Sequence, residues 1–304
     1  MDAETAGWSA TLASVLMPWA LAAAATKFTL YVSAFLACGL LLFRLALPEA
    51  GDRLFASLKP VTLMAIVVAA AATLLRVGIQ AGRLLDDGLS GMVDPDMIAL
   101  SVEGPLGQSS AIRLIGLALL LVAVLVPRLR VLASLLGAIL VAFSFALVGH
   151  ATRDPQWALA ALLTVHLLGI FYWWGAILPL HRLSGPVYDN VQAAAIAERF
   201  GRQASLIVPL LIAAGLALGW FLLGGPAQLF ESVYGRMLLI KIGLVGLVLV
   251  MAALNKLRFV PGLMASRPGA AARFRRSLLV EGVLFLAVFA ATAVLTTSFT
   301  VPEM

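Results

Sequence analysis

Residues 157–180 read WALAALLTVHLLGIFYWWGAILPL: 24 positions without one Asp, Glu, Lys or Arg, and with a single histidine, His166. A run of that length crosses the roughly 30 Å hydrocarbon core of a bilayer as a helix. Only a helix satisfies all of its backbone groups within one lipid-embedded segment. Seven more runs read the same way, at residues 24–47, 61–82, 111–126, 131–150, 205–223, 235–254 and 277–299. The stretch before the first, residues 8–23, is apolar and holds Pro18, so it is either an interfacial lead-in or an extension of that span.

Eight spans make the expected fold class an all-α integral membrane bundle. The composition agrees, with 62% hydrophobic and 12% charged residues among 304 and a mean hydropathy of +1.04. A soluble domain needs far more polar surface. The runs are too long and too evenly apolar for barrel strands. Low-complexity tracts such as Ala22–Ala25 read as close helix packing by small residues. Cys38 is the single cysteine, which excludes an internal disulfide framework. Residues 1–14 carry Asp2 and Glu4 and no basic side chain, unlike the start of a cleaved signal peptide.

A net charge of +6 does not point to nucleic acid, because the basic residues sit in short loops. Loops after the first, third, fifth and seventh spans carry fourteen of the 21 Lys and Arg, from Arg44 and Lys59 to Arg275 and Arg276. The other loops carry Asp86, Asp87, Asp94, Asp96, Glu103, Asp154 and Glu231. Basic loops stay in the cytoplasm, so both termini are expected outside it. The longest acidic loop, residues 84–110, is rich in Gly and Pro and reads as irregular. The first and fifth spans both end in Arg-Leu, a faint echo of a four-plus-four repeat.

Polar groups inside a bilayer are costly and point to function. His166 lies about 14 Å into its span at the helical rise. A buried imidazole there takes a hydrogen bond, a metal or a haem iron. His150 closes the fourth span. Imidazole and thioether ligands suit copper, which adds Met92, Met97 and Met237 to the candidate metal ligands. Axial depths of His150 and His166 differ by about 15 Å, so straight helices do not bring both to one ion, whose nitrogens sit about 2 Å away. A relay of stations fits better. Methionine also fills gaps between helices. Lys241, Asn255, Glu281 and Arg276 are expected to be structural, with Glu281 paired to Arg258, Arg275, Arg276 or the Asn255 amide. Arg113 is expected to snorkel outward. Trp173 and Trp174 read as packing aromatics. No Walker loop, Cys-x-x-Cys, His-Glu-x-x-His or Rossmann glycine pattern is present, so no enzyme is expected.

Gly149-His150-Ala151, His166 with Trp174-Gly175, Arg199-Phe200, Tyr234-Gly235-Arg236 with Lys241, Asn255 with Pro261, and Arg275-Arg276 before Glu281 stand in order along the chain. In this the chain resembles the copper resistance D (CopD) family of bacterial inner-membrane proteins. The likeness is strongest from His150 to Pro302. It divides one membrane domain into residues 1–130, with the acidic periplasmic loop, and residues 131–304. The resemblance implies copper passage from periplasm to cytoplasm, with His150 and His166 as the positions to test. The expected partners are the lipid bilayer and a separate periplasmic copper-binding protein. Two alternatives stand beside it. One is a b-type haem redox protein, for which two bis-imidazole haems need four histidines where only three exist. The other is a non-transporting subunit that docks a periplasmic copper chaperone.

Overall fold

The computed structural model describes residues 17–85, 89–152, 154–223 and 227–299. Eight helices in it are long and apolar enough to cross a membrane: α1 (Pro18–Ala46), α2 (Asp52–Leu85), α4 (Pro105–Leu125), α5 (Pro127–Leu147), α6 (Gln156–Leu183), α7 (Asn190–Leu223), α8 (Val233–Met264) and α9 (Ala270–Ser298). A ninth, α3 (Pro95–Glu103), lies between α2 and α4. The described residues contain no strand. The chain is a multi-pass membrane protein. An even number of spans returns Ser298 to the end of the bundle where Pro18 starts. That end is called acidic here, after its loops, and the opposite end basic.

Local chemistry sets the helix limits. α1 starts at Pro18 because a proline in the first turn lacks only an amide that would be unpaired there. It stops before Pro48, and Gly51, at φ +91°, turns the chain into α2. Two helices begin earlier than hydropathy alone suggests. α2 starts at Asp52, whose charge suits a helix N-terminus. α7 starts at Asn190, after Asp189 accepts the Val191 amide at 3.0 Å. Its first turns bury Ala193, Ala194, Ile196 and Ala197 against the α1–α2 turn, where Arg199 pairs with Glu49.

The acidic-end loop is more ordered than its glycines and prolines imply. Asp94 caps α3 by accepting the Asp96 and Met97 amides at 3.1 and 2.9 Å, with Pro95 in the first turn. Asp86 and Asp87 lie outside the described residues, as do both chain termini.

α1 is the centre of the bundle, packed against α2, α6, α9 and α5. Four phenylalanines meet there, with Phe35 4.7 Å from Phe171, 5.4 Å from Phe289 and 5.6 Å from Phe145 between ring centroids. Consecutive spans pack in pairs, α1 with α2, α4 with α5, α6 with α7 and α8 with α9, and α1 and α6 pack together between them. At that crossing a Cβ on Gly39 would lie 2.0 Å from the Phe171 carbonyl oxygen, and one on Gly175 would lie 2.1 Å from the Gly39 carbonyl carbon. Gly116 and Gly137 make the same kind of approach between α4 and α5. Small residues let membrane helices close to backbone contact. α8 is the least enclosed span, and its body before residue 255 leans mainly on α9.

Candidate functional site

α6 carries one of the candidate positions, His166. His166 faces α7. Its Nδ1 stands 2.9 Å from the carbonyl oxygen of Leu211, so Nδ1–H donates and, in the neutral ring, the lone pair is on Nε2. A backbone carbonyl holding one imidazole nitrogen is how metal-ligating histidines are commonly oriented. Gly215 makes room for the ring: a Cβ there would sit 3.0 Å from His166 Cε1. Lys241 on α8 lies close enough to act on the ring electrostatically. Between α6 and α7 a groove of about 520 Å³ is lined by Trp157, Ala161, Leu162, Val165, Leu210 and Ala213. It is apolar and does not include His166.

The other soft-ligand candidates are not gathered around that ring. Met92 packs on α2, where Gly78 and Gly82 leave space for its side chain. Met97 is half-buried in the first turn of α3. Met237 joins Leu223, Tyr234 and Leu295 at the acidic end of α7–α9. His150 lies in the short helical turn Gly149–Thr152, and its side chain falls outside what the structure describes. Among the described residues no three His, Cys, Asp or Glu side chains converge as a metal site.

Seven residues after His166, about 10 Å along the axis, Trp173 reaches a second polar cluster. Its indole N–H donates to Glu281 Oε1 at 2.7 Å. Asn255 Nδ2 donates to Glu281 Oε2 at 2.6 Å, and Ser277 donates to Asn255 Oδ1. Asn255 opens a π-helical turn, Asn255–Phe259, in α8. Such turns widen a helix by one residue and recur at functional sites. Here it stands where α8 delivers its amide to α9. Of the partners expected for Glu281, the structure joins it to Asn255 and adds Trp173. Arg276 is exposed, and no ion pair involves Glu281 among the described residues. The Trp173 bond spans 108 positions of sequence, so no local pattern marks it.

Family models match both parts of the chain. That for "Copper resistance protein D-like, N-terminal domain" covers residues 15–158, and that for "Copper resistance protein D" covers residues 194–295. The chain belongs to the copper resistance protein D family. Copper transport protein CutJ of Bacillus subtilis (strain 168) is 28% identical over 162 residues, which make up 52% of this chain and 29% of CutJ. The match therefore spans less than a third of that relative's length. No solved structure matches. Within this copper resistance D protein, Lys241, Asn255 and Glu281 lie inside the C-terminal matched segment and His150 inside the N-terminal one, while His166 and Trp173 fall between the two.

The N-terminal segment of this family member holds a buried cation that sequence placed wrongly. Arg113 does not snorkel; it is 0% exposed. Its Nε donates to Ser144 Oγ at 3.0 Å and its Nη2 to Ser109 Oγ at 2.8 Å. Its guanidinium lies 4.2 Å from the centroid of Phe145. Ser144 ends the α-helical part of α5, and the Gly116–Gly137 approach brings it within reach. Lys27 of α1, nearer the acidic end, donates to the Thr296 carbonyl at 2.6 Å. No carboxylate pairs with either cation among the described residues.

Proposed function

We propose that this protein handles copper ions in its membrane, passing them from the acidic, periplasmic end toward the basic, cytoplasmic end. Family membership and the likeness to a copper transport protein support the cargo. The uneven spread of loop charge supports which end faces the cytoplasm, and inward passage is what the family resemblance implies. One observation carries the proposed role of His166: the Leu211 carbonyl fixes Nδ1–H, which leaves Nε2 as a neutral donor for a soft ion. The ammonium of Lys241 acts on the same ring and weakens the hold on a cation. A station in a conduction path must release as well as bind.

In this reading Met92, Met97 and Met237 receive copper at the acidic end, where a separate periplasmic copper-binding protein docks. His150 and His166 are successive stations, too far apart in depth to share an ion. Residues 1–130 supply the receiving loop and residues 131–304 the imidazole-bearing helices of one membrane domain. Asn255, Glu281 and Arg276 serve structure, and Lys241 adds its effect on the His166 ring to a structural role.

Copper flux into proteoliposomes tests the proposal, with the parent compared against His166→Ala and His150→Ala. His166→Ala is expected to cut flux about tenfold, in the range seen when metal-site support is lost, and to lower copper accumulation in cells at an unchanged protein level. Parent flux retained in His166→Ala at normal abundance removes that residue from the path. A parent that binds copper but moves none is a docking subunit.

A further inference from the structure

At the basic end, α1, α2 and the α4–α5 turn enclose a groove of about 290 Å³ that holds none of the residues proposed to carry copper. Arg44, Lys59 and Arg130 line it against one carboxylate, Asp52. Part of its wall is aliphatic: Leu40 and Leu41 lie about one turn before Arg44 on α1, and Val124 and Leu125 are the last two residues of α4, just before the turn to Arg130 on α5.

The cations are under-compensated. The Asp52 side chain is 99% exposed and among the described residues pairs only with Arg44, at 3.5 Å. Arg44 is also held over the Phe55 ring, 4.8 Å from its centroid. Lys59 and Arg130 make no ion pair among the described residues. Arg130 Nε is sealed from solvent with no hydrogen-bond partner, although a buried donor left unpaired is costly.

A basic mouth above an aliphatic trough matches a molecule with a negative headgroup joined to a hydrocarbon chain. Basic pockets between membrane helices bind anionic lipid headgroups. We propose that this groove binds an anionic phospholipid, its phosphate at Lys59 and Arg130 and one acyl chain along the aliphatic faces of α1 and α4. Free phosphate leaves those faces unused. A zwitterionic lipid brings no net charge to offset the surplus cations.

The probe is phosphatidylglycerol in nanodiscs of phosphatidylcholine that carry the full chain, with retained lipid measured by native mass spectrometry. Phosphatidylglycerol is expected to be retained preferentially. Lys59→Gln with Arg130→Gln is expected to reduce that preference, by about fivefold for each cation, the factor matching about 1 kcal/mol per basic residue near anionic lipid. Lys59→Arg with Arg130→Lys keeps the charges and is expected to keep the preference, which guards against a neutral variant that misfolds. The control pair Arg267→Gln and Arg273→Gln, at the same end but outside the groove, is expected to change nothing. Equal retention in parent and neutral variant overturns the proposal. So does an equal loss in the control, which means diffuse attraction. Displacement by glycerol phosphate as readily as by the lipid overturns it in favour of a phosphate site.

Discussion

Arg113 and Glu281 are both sealed inside the bundle, and among the described residues neither has an opposite charge beside it. The protein accommodates them differently. Around Arg113 stand two serine hydroxyls and the face of Phe145. Around Glu281 stand two N–H donors, an indole and an amide, carried on different helices. The arginine therefore ties together one adjacent pair, α4 and α5. The glutamate ties α6, α8 and α9, and with the Lys256 bond to Ser205 of α7 it links the loosely held α8 to the rest of the bundle.

That difference orders the expected effects of mutation. Glu281→Ala leaves the Trp173 and Asn255 donors without acceptors, at roughly 1–3 kcal/mol for each. Thermal unfolding in detergent should show a loss of about 2–6 kcal/mol, while Glu281→Gln, which keeps the shape and one of the two acceptors, should cost about half of that. Equal losses in the two variants mean that charge, not hydrogen bonding, anchors α8. Next comes Arg113→Lys. An ammonium does not reproduce the guanidinium fork, so about 1–2 kcal/mol should be lost. Arg113→Met should lose less, since it removes a buried unpaired charge and keeps most of the volume. The reverse order means that the serines contribute little. Gly215→Ala should leave stability within about 1 kcal/mol but displace the His166 ring, whose Cε1 would lie 3.0 Å from the added Cβ; copper flux should fall. The smallest change is expected from Lys241→Met. Removing the cation that acts on His166 should raise the copper retained by detergent-purified protein modestly, and no change detaches Lys241 from that station.

The spans were legible in the sequence because bilayer thickness imposes a minimum apolar length. Residues 157–180 stand within α6 as expected. Legibility stopped where helices leave the apolar core. The first turns of α7 are half polar, and α3 is signalled only by Asp94 and Pro95. It stopped again at lateral contacts. Arg113 read as a snorkelling end residue because nothing local reveals that Ser144, 31 positions away, closes over it. Trp173 read as packing because its acceptor is on α9. Hydropathy reports depth in the membrane; it carries no information on which neighbour a side chain meets. For His166 the depth was readable and the Leu211 carbonyl was not.

The meeting of Gly39 and Gly175 has one mechanical consequence. With no side chain between the two backbones, nothing there can change rotamer to let the helices come closer, and even a methyl group would wedge them apart. Gly39 lies seven residues from the end of α1 at Ala46, so the pinch sits toward the basic end. Like a rivet through two plates, the contact sets how far apart α1 and α6 stand, and every helix packed on either one inherits that spacing.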